Sequence, residues 1–224
     1  MSKNIAIDGP AGAGKSTIAK QLAKDLGYIY VDTGAMYRAM GLYFTSMQID
    51  PQDGDKISEA AKDAVVSLSY VDGMQHVLLN GKDVTGEIRT EEAGKMASAT
   101  SGYPAVREHL TNLQKELAAR ENVVMDGRDI GTCVLPNADL KVYLTASSEV
   151  RGKRRYKELV EKGVEADLDV IIEDIEKRDA ADMNREVSPL RQAEDALLLD
   201  SSELTIDQVV ETMKDMCKRK GLLS

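Results

Sequence analysis

Gly9-Pro10-Ala11-Gly12-Ala13-Gly14-Lys15-Ser16 is the stretch whose residue types and spacing most directly specify chemistry in this 224-residue chain. It fits G-x-x-x-x-G-K-[ST] without mismatch. The glycines let the backbone wrap so that consecutive N–H groups point inward at phosphate oxygens. Lys15 can reach the β- and γ-phosphates of a nucleoside triphosphate, and the Ser16 hydroxyl can ligate Mg²⁺. The helix that opens at about residue 14 turns its positive dipole end toward the same anion. A chance match at average residue frequencies is on the order of one per cent for this length. The run also follows a strand and opens a helix, as the mechanism requires. Lys15 reads as an exposed loop lysine whose loss changes ligand-free stability little.

The elements around it can be read from apolar spacing. Asn4-Ile5-Ala6-Ile7 is a short buried strand ending at Asp8. Apolar residues at 18, 19, 22, 23 and 26 make a helical stripe that Gly27 closes. Further strands are expected at Tyr28–Val31, Val123–Met125, Leu140–Leu144 and Ala196–Leu199, with Asp32-Thr33-Gly34 breaking into a helix through about Ser46. Strands alternating with helices indicate an α/β parallel sheet, whose ligands bind at the carboxyl ends of the strands. Those ends all carry Asp, Gly, Ser or Thr. Residues 65–89 depart from the alternation. Val66–Val71 alternates with period two, and Asp72-Gly73 and Asn80-Gly81 are hairpin-turn signals, so a small antiparallel insert is expected. From Ser147 to Arg185 the chain turns to long, charged helices. The methionines, Met36, Met40 and Met47 among them, read as packing.

Composition narrows the function classes. With 38 acidic and 29 basic residues the net charge is −9, which opposes binding to long nucleic acid or anionic membrane through the overall field. A pocket for a small anion is governed by local charge instead. Cys133 and Cys217 stand 84 positions apart, and His76 and His109 are as isolated, so neither a disulfide framework nor a structural zinc site is expected. No apolar run approaches the roughly 20 residues of a membrane span. A soluble protein of a reducing compartment, the cytoplasm, is the expectation. The phosphate loop alone does not separate a motor ATPase, a GTPase and a small-molecule kinase. No N-K-x-D guanine-reading motif is present, and the chain leaves little room for the modules of a large ATPase. Arg151-Gly152-Lys153-Arg154-Arg155-Tyr156-Lys157 concentrates five cations in an acidic chain. A kinase whose second substrate is itself phosphorylated fits these features.

Further segments carry a resemblance. Asp32-Thr33-Gly34-Ala35-Met36-Tyr37-Arg38, Gly86-Glu87-Ile88-Arg89-Thr90 and Asp126-Gly127-Arg128-Asp129-Ile130-Gly131-Thr132 follow the phosphate loop in order. Arg178-Asp179, Asp182-x-Asn184-Arg185, Pro189-Leu190 and Asp200-Ser201 come after them. Over essentially its whole length the chain resembles the bacterial cytidylate kinases, and the DTGAMYR and DGRDIGT segments are far more diagnostic than the phosphate loop. Thr33 stands where many relatives have Ser, which keeps the hydroxyl. The resemblance implies a P-loop kinase core with a five-stranded parallel sheet flanked by helices, formed by residues 1–33, 111–147 and 188–224. It further implies a monophosphate-binding part at 34–110 that includes the β insert, and a helical lid at 148–187.

The implied reaction is transfer of a phosphoryl group from ATP to CMP or dCMP with Mg²⁺, by a monomer. Gly9, Pro10, Ala11, Gly12, Ala13, Gly14, Lys15, Ser16 and Thr17 would bind ATP. Arg38 and Arg128 would hold the acceptor phosphate, because guanidinium forks suit phosphate. Thr33, Arg107, Asp129 and Arg185 would read the base, and Ser98, Arg178 and Asp182 the sugar. Lys15 would act in catalysis with a lid arginine, Arg151, Arg154 or Arg155, each of which could instead pair with a neighbouring glutamate. Ser16 would ligate the metal, with Asp126 behind a water; a cap or turn role for Asp126 is the alternative. Tyr37 and Tyr103 could line the pocket or pack in the core. The competing readings are a P-loop kinase for another small acceptor, such as a different nucleotide or shikimate, and a nucleotide-dependent switch without transfer.

Overall fold

The computed structural model describes residues 2–223. Five strands form a parallel sheet in the order β2-β6-β1-β7-β8: β1 is Asn4–Asp8, β2 Ile29–Asp32, β6 Val123–Gly127, β7 Leu140–Thr145 and β8 Leu197–Asp200. The strand between β1 and β8 is β7, with Ile7 opposite Val142 and Tyr143 opposite Leu198. Every residue of β6 is buried, as are all but one of β1 and of β7. Strands covered on both faces need apolar residues without alternation, which is why they read as continuous runs. The separate antiparallel sheet, β3-β4-β5, consists of Val66–Val71, Met74–Leu79 and Lys82–Asp83. Its two turns have positive φ at both central residues, Asp72 and Gly73 in one and Asn80 and Gly81 in the other. That is the backbone two-residue hairpins need to match strand twist, and it is why the two dipeptides were legible.

The chain packs as two compact units. One comprises Ile29–Val123 with Ser2, the other Lys3–Tyr28 with residues 124–223. The segment 34–110 falls in the first and 148–187 in the second. In the first unit α2 (Thr33–Ser46) packs on α4 (Glu91–Thr100), and α3 (Gly54–Asp63) on α5 (Pro104–Arg120). Met36, Met40, Phe44, Ile57, Ile88 and Leu110 are fully buried there, each worth about 1.5–3 kcal/mol in transfer from water. Met47 departs from the packing expected of it. It caps the C-terminus of α2, beyond the buried stripe, and is 51 % exposed.

In the second unit α1 (Lys15–Leu26) packs on α8 (Ile206–Arg219), whose Thr205 and Gln208 form a reciprocal capping box. α6 (Ser148–Glu161) packs on α7 (Leu168–Asn184). Asp32, Ser147 and Asp167 each cap a helix N-terminus through the side chain and satisfy backbone donors that the helix leaves unpaired.

Candidate active site

The phosphate loop occupies the turn between β1 and α1, within the second unit. Gly9 has φ +151°, and a Cβ there would lie 1.9 Å from the Leu144 carbonyl oxygen of β7. No side chain fits, so the first glycine of the motif is fixed by the approach of the neighbouring strand. Gly14 caps α1 in the left-handed conformation without a side-chain hydrogen bond, which leaves the first N–H groups of the helix to a ligand.

Lys15 is 5 % exposed and donates to the Pro10 carbonyl at 2.7 Å. The expectation of an exposed loop lysine is therefore wrong. The loop wraps around the ammonium group, and motif spacing reveals nothing about that burial. Burial, reinforced by the Arg128 charge, lowers its pKa to about 7 against the opposing pull of Asp126, Asp8 and Asp182. A group so placed gains strongly from arriving phosphate charge. Ser16 Oγ donates to Asp126 Oδ2 at 3.0 Å, and Asp126 is buried at the end of β6. Among the described residues no cluster of three or more His, Cys, Asp or Glu could hold a metal. One hydroxyl and one carboxylate, both hard oxygens, fit Mg²⁺, which keeps waters and takes phosphate oxygens for the rest of its shell.

The same unit holds several Arg–Asp pairs. Arg128 Nε donates to Asp182 Oδ2 at 2.9 Å, joining the loop after β6 to α7. Arg185 Nη2 stands 3.8 Å from Asp129 Oδ1. Arg178 lies on the exposed-to-buried boundary of α7, one turn before Asp182. Thr17 is exposed on the first turn of α1. The lid candidates differ sharply. Arg151 is 5 % exposed and donates to the Ala146 and Ala11 carbonyls, both at 2.9 Å, and to Asp179 Oδ2 at 2.6 Å. Ala11 belongs to the phosphate loop, so Arg151 fastens α6 and α7 to that loop. Arg154 binds the Ser201 carbonyl at 2.8 Å, and Arg155 pairs with Glu158 at 2.9 Å in solvent.

Asp8 is a participant that the sequence reading passed over as a strand end. It is 5 % exposed and accepts from the Ile130 and Gly131 N–H groups, both at 2.7 Å. Burial is the main cause that pushes its pKa up to about 6, with those N–H groups opposing. It ties the residue before Gly9 to the DGRDIGT segment. Its position, between an apolar strand and the first motif glycine, was the available signal.

The first unit carries Thr33, Arg38, Ser98 and Arg107. Thr33 opens α2 and is 3 % exposed. Arg107 is 6 % exposed; it donates to the Ser101 carbonyl at 3.3 Å, and its guanidinium lies 5.7 Å from the Tyr37 ring centroid. Ser101 Oγ in turn binds the Ser98 carbonyl at 3.0 Å, so Ser98 and Arg107 adjoin the same residue. Arg38 Nη1 reaches the Ile88 and Thr90 carbonyls at 3.3 and 3.4 Å. Tyr37 thus supports Arg107, whereas Tyr103 packs locally and donates to the Pro51 carbonyl at 2.9 Å.

Sheet order, glycine-rich turn and buried lysine define the P-loop class of phosphate-binding α/β proteins. A family model described as cytidylate kinase matches residues 5–219. The chain is 52 % identical over 213 residues to the cytidylate kinase of Caldicellulosiruptor bescii, covering 95 % of this chain and 94 % of that one. It is 46 % identical over 218 residues to the cytidylate kinase of Bacillus subtilis, covering 97 % of each. The crystal structure of an uncharacterized protein from Eubacterium ventriosum shares the fold, with TM-score 0.51 and 12 % identity over 97 % of this chain and 99 % of that one. The chain belongs to the cytidylate kinase family.

Proposed function

We propose that this protein transfers the γ-phosphoryl group of ATP to the phosphate of CMP or dCMP, releasing ADP and CDP or dCDP. The observation that carries the reading is the junction of the phosphate loop with the DGRDIGT segment: Ser16 Oγ donates to Asp126 Oδ2 at 3.0 Å, and Asp8 accepts from the Ile130 and Gly131 N–H groups. A donor loop and a DGRDIGT segment fastened together in this way suit a polyphosphate shared between them. An oxygen of the acceptor phosphate attacks the γ-phosphorus, the bond to the β-bridging oxygen breaks, and ADP leaves. Such a step needs positioning and charge neutralisation more than covalent help.

In this reading Gly9–Thr17 cradle the ATP phosphates, and Lys15 neutralises charge as the phosphoryl group moves. Mg²⁺ bound by Ser16, with Asp126 behind a water, would add Lewis-acid polarisation of the phosphates. Arg38 and Arg128 hold the acceptor phosphate. Thr33, Arg107, Asp129 and Arg185 read the base, and Ser98, Arg178 and Asp182 the sugar. Asp129 facing the exocyclic amino group favours cytosine, because uracil would set a carbonyl against the carboxylate. Residues 148–187 act as a lid that excludes water, and 34–110 form the monophosphate-binding part. Of Arg151, Arg154 and Arg155, Arg155 is the one with a solvent-exposed partner, and its weak surface pairing with Glu158 is readily exchanged for phosphate. The enzyme works as a monomer in the cytoplasm. No helix among the described residues is long and apolar enough to cross a membrane.

Mixing the protein with ATP, Mg²⁺ and CMP and resolving the products by chromatography tests the reading. ADP and CDP should accumulate in equal amounts. ADP appearing at the same rate with CMP left out would overturn it.

A further inference from the structure

The antiparallel insert touches the strand that leads into the acceptor residues, and it does so through two side chains. Tyr70 on β3 and Gln75 on β4 are directly opposite each other in the hairpin register. Tyr70 Oη donates to the Tyr30 carbonyl at 3.2 Å. The Gln75 amide accepts from the Asp32 N–H at 2.9 Å and donates back to the Asp32 carbonyl at 3.2 Å. Tyr30 and Asp32 are two apart on β2, an edge strand, so their groups face the same side. A neighbouring strand would exchange N–H and C=O bonds with one residue in this way. Gln75 does so with one side chain. The Asp32 carboxylate meanwhile accepts from the Ala35 N–H at 2.9 Å and starts α2. Asp32 is therefore held at its amide, its carbonyl and its carboxylate, and the next residue is the buried Thr33.

We infer that Gln75, braced by Tyr70, is a positioning residue that fixes where Thr33 enters the acceptor site. This rests on the reading of Thr33 as part of the base pocket. Loss of the amide leaves the Asp32 N–H and carbonyl without that partner and lets the β2–α2 corner shift, which affects acceptor binding before anything on the phosphate loop.

The full-length protein is compared as wild type, Gln75→Leu, Thr33→Ala and the double variant, with KM for CMP and ATP, kcat, and CMP-over-UMP preference measured for each. Gln75→Leu should raise KM for CMP about tenfold and leave KM for ATP within about twofold. The double variant should be no worse than Thr33→Ala, as expected when one residue acts through the other. Normal KM for CMP in Gln75→Leu beside a raised value in Thr33→Ala would overturn the inference and leave Thr33 in the pocket. A silent Thr33→Ala would overturn both. Reduced kcat with both KM values unchanged would mark Gln75 as merely structural and also overturn it. Should Gln75→Leu fail to fold, Tyr70→Phe removes one hydroxyl and keeps the ring. It should raise KM for CMP about threefold, and an unchanged value there would overturn the inference.

Discussion

The phosphate loop and the first unit, where Thr33, Arg38 and Arg107 lie, are built by opposite means. The loop presents backbone: glycine at a position where a Cβ would meet the Leu144 carbonyl at 1.9 Å, and a lysine enclosed by its own turn. The first unit presents side chains and a strand end held by contacts with other elements of the same unit. Arg107 rests on Ser101 and Tyr37, Arg38 on Ile88 and Thr90, and the corner before Thr33 on Gln75. A backbone device tolerates almost no change of residue type and so leaves a short motif. A side-chain device depends on which elements meet.

Replacing Lys15 should break the loop's function most. Lys15→Met should lower turnover on the order of 10³-fold, the scale for removing a preorganised charge from a phosphoryl-transfer site. Ligand-free stability should stay level or rise, because the buried ammonium is desolvated. ADP release and a thermal melt check both, and near-normal turnover would remove the loop from the chemistry.

The second effect sharpens the contrast on the acceptor side. Asp129→Ala should remove roughly one to two powers of ten of CMP-over-UMP preference, as loss of a buried carboxylate partner implies. KM for ATP should stay nearly unchanged. Full retention of the preference would make Asp129 and Arg185 a structural pair.

Asp179 tests whether the phosphate loop is also held by side chains. Asp179→Ala leaves the buried Arg151 without its carboxylate and should cost about 3 kcal/mol of stability. Because Arg151 also binds the Ala11 carbonyl, KM for ATP should rise in parallel. A denaturation midpoint matching wild type would show that Arg151 is held adequately by Ala11 and Ala146.

The smallest effect is in protons. The Lys15 pKa is lowered from 10.5 to about 7, so between those values the unfolded chain binds more protons than the folded one. This group's contribution to stability therefore rises with pH from about 7 to 10.5. Asp8, raised from 3.8 to about 6, holds its proton more tightly when folded, and its contribution falls as pH climbs through that window. Phosphate charge restores the Lys15 proton, so ATP binding at pH 8 should take up close to one proton. Titration calorimetry in two buffers of different ionisation enthalpy reads that number, and no uptake would contradict it.

The same contrast explains what the sequence revealed. β1, β6 and β7 were legible because strands buried on both faces must be apolar throughout, and the hairpin because Asp72-Gly73 and Asn80-Gly81 supply positive φ. The parallel order β2-β6-β1-β7-β8 follows no local signal, since each neighbour comes from far along the chain. Within the site, the phosphate loop could be derived from its residues, whereas roles for Arg128, Asp129, Asp182 and Arg185 rested on resemblance. Lys15's burial, the Asp8 bridge and the anchoring of Arg151 appear only once β1, the 130–131 turn and α6 are brought together. Met47 misled because apolar type alone does not say whether a residue lies on the buried stripe.

The most direct test of the central claim, that this is a kinase selecting cytosine monophosphates, is ADP release with CMP, dCMP, UMP, AMP and GMP side by side under saturating ATP. CMP and dCMP should exceed the other three in kcat/KM by about tenfold or more, the margin expected when a buried carboxylate discriminates. Equal rates with all five, or a preference for AMP or GMP, would contradict the account.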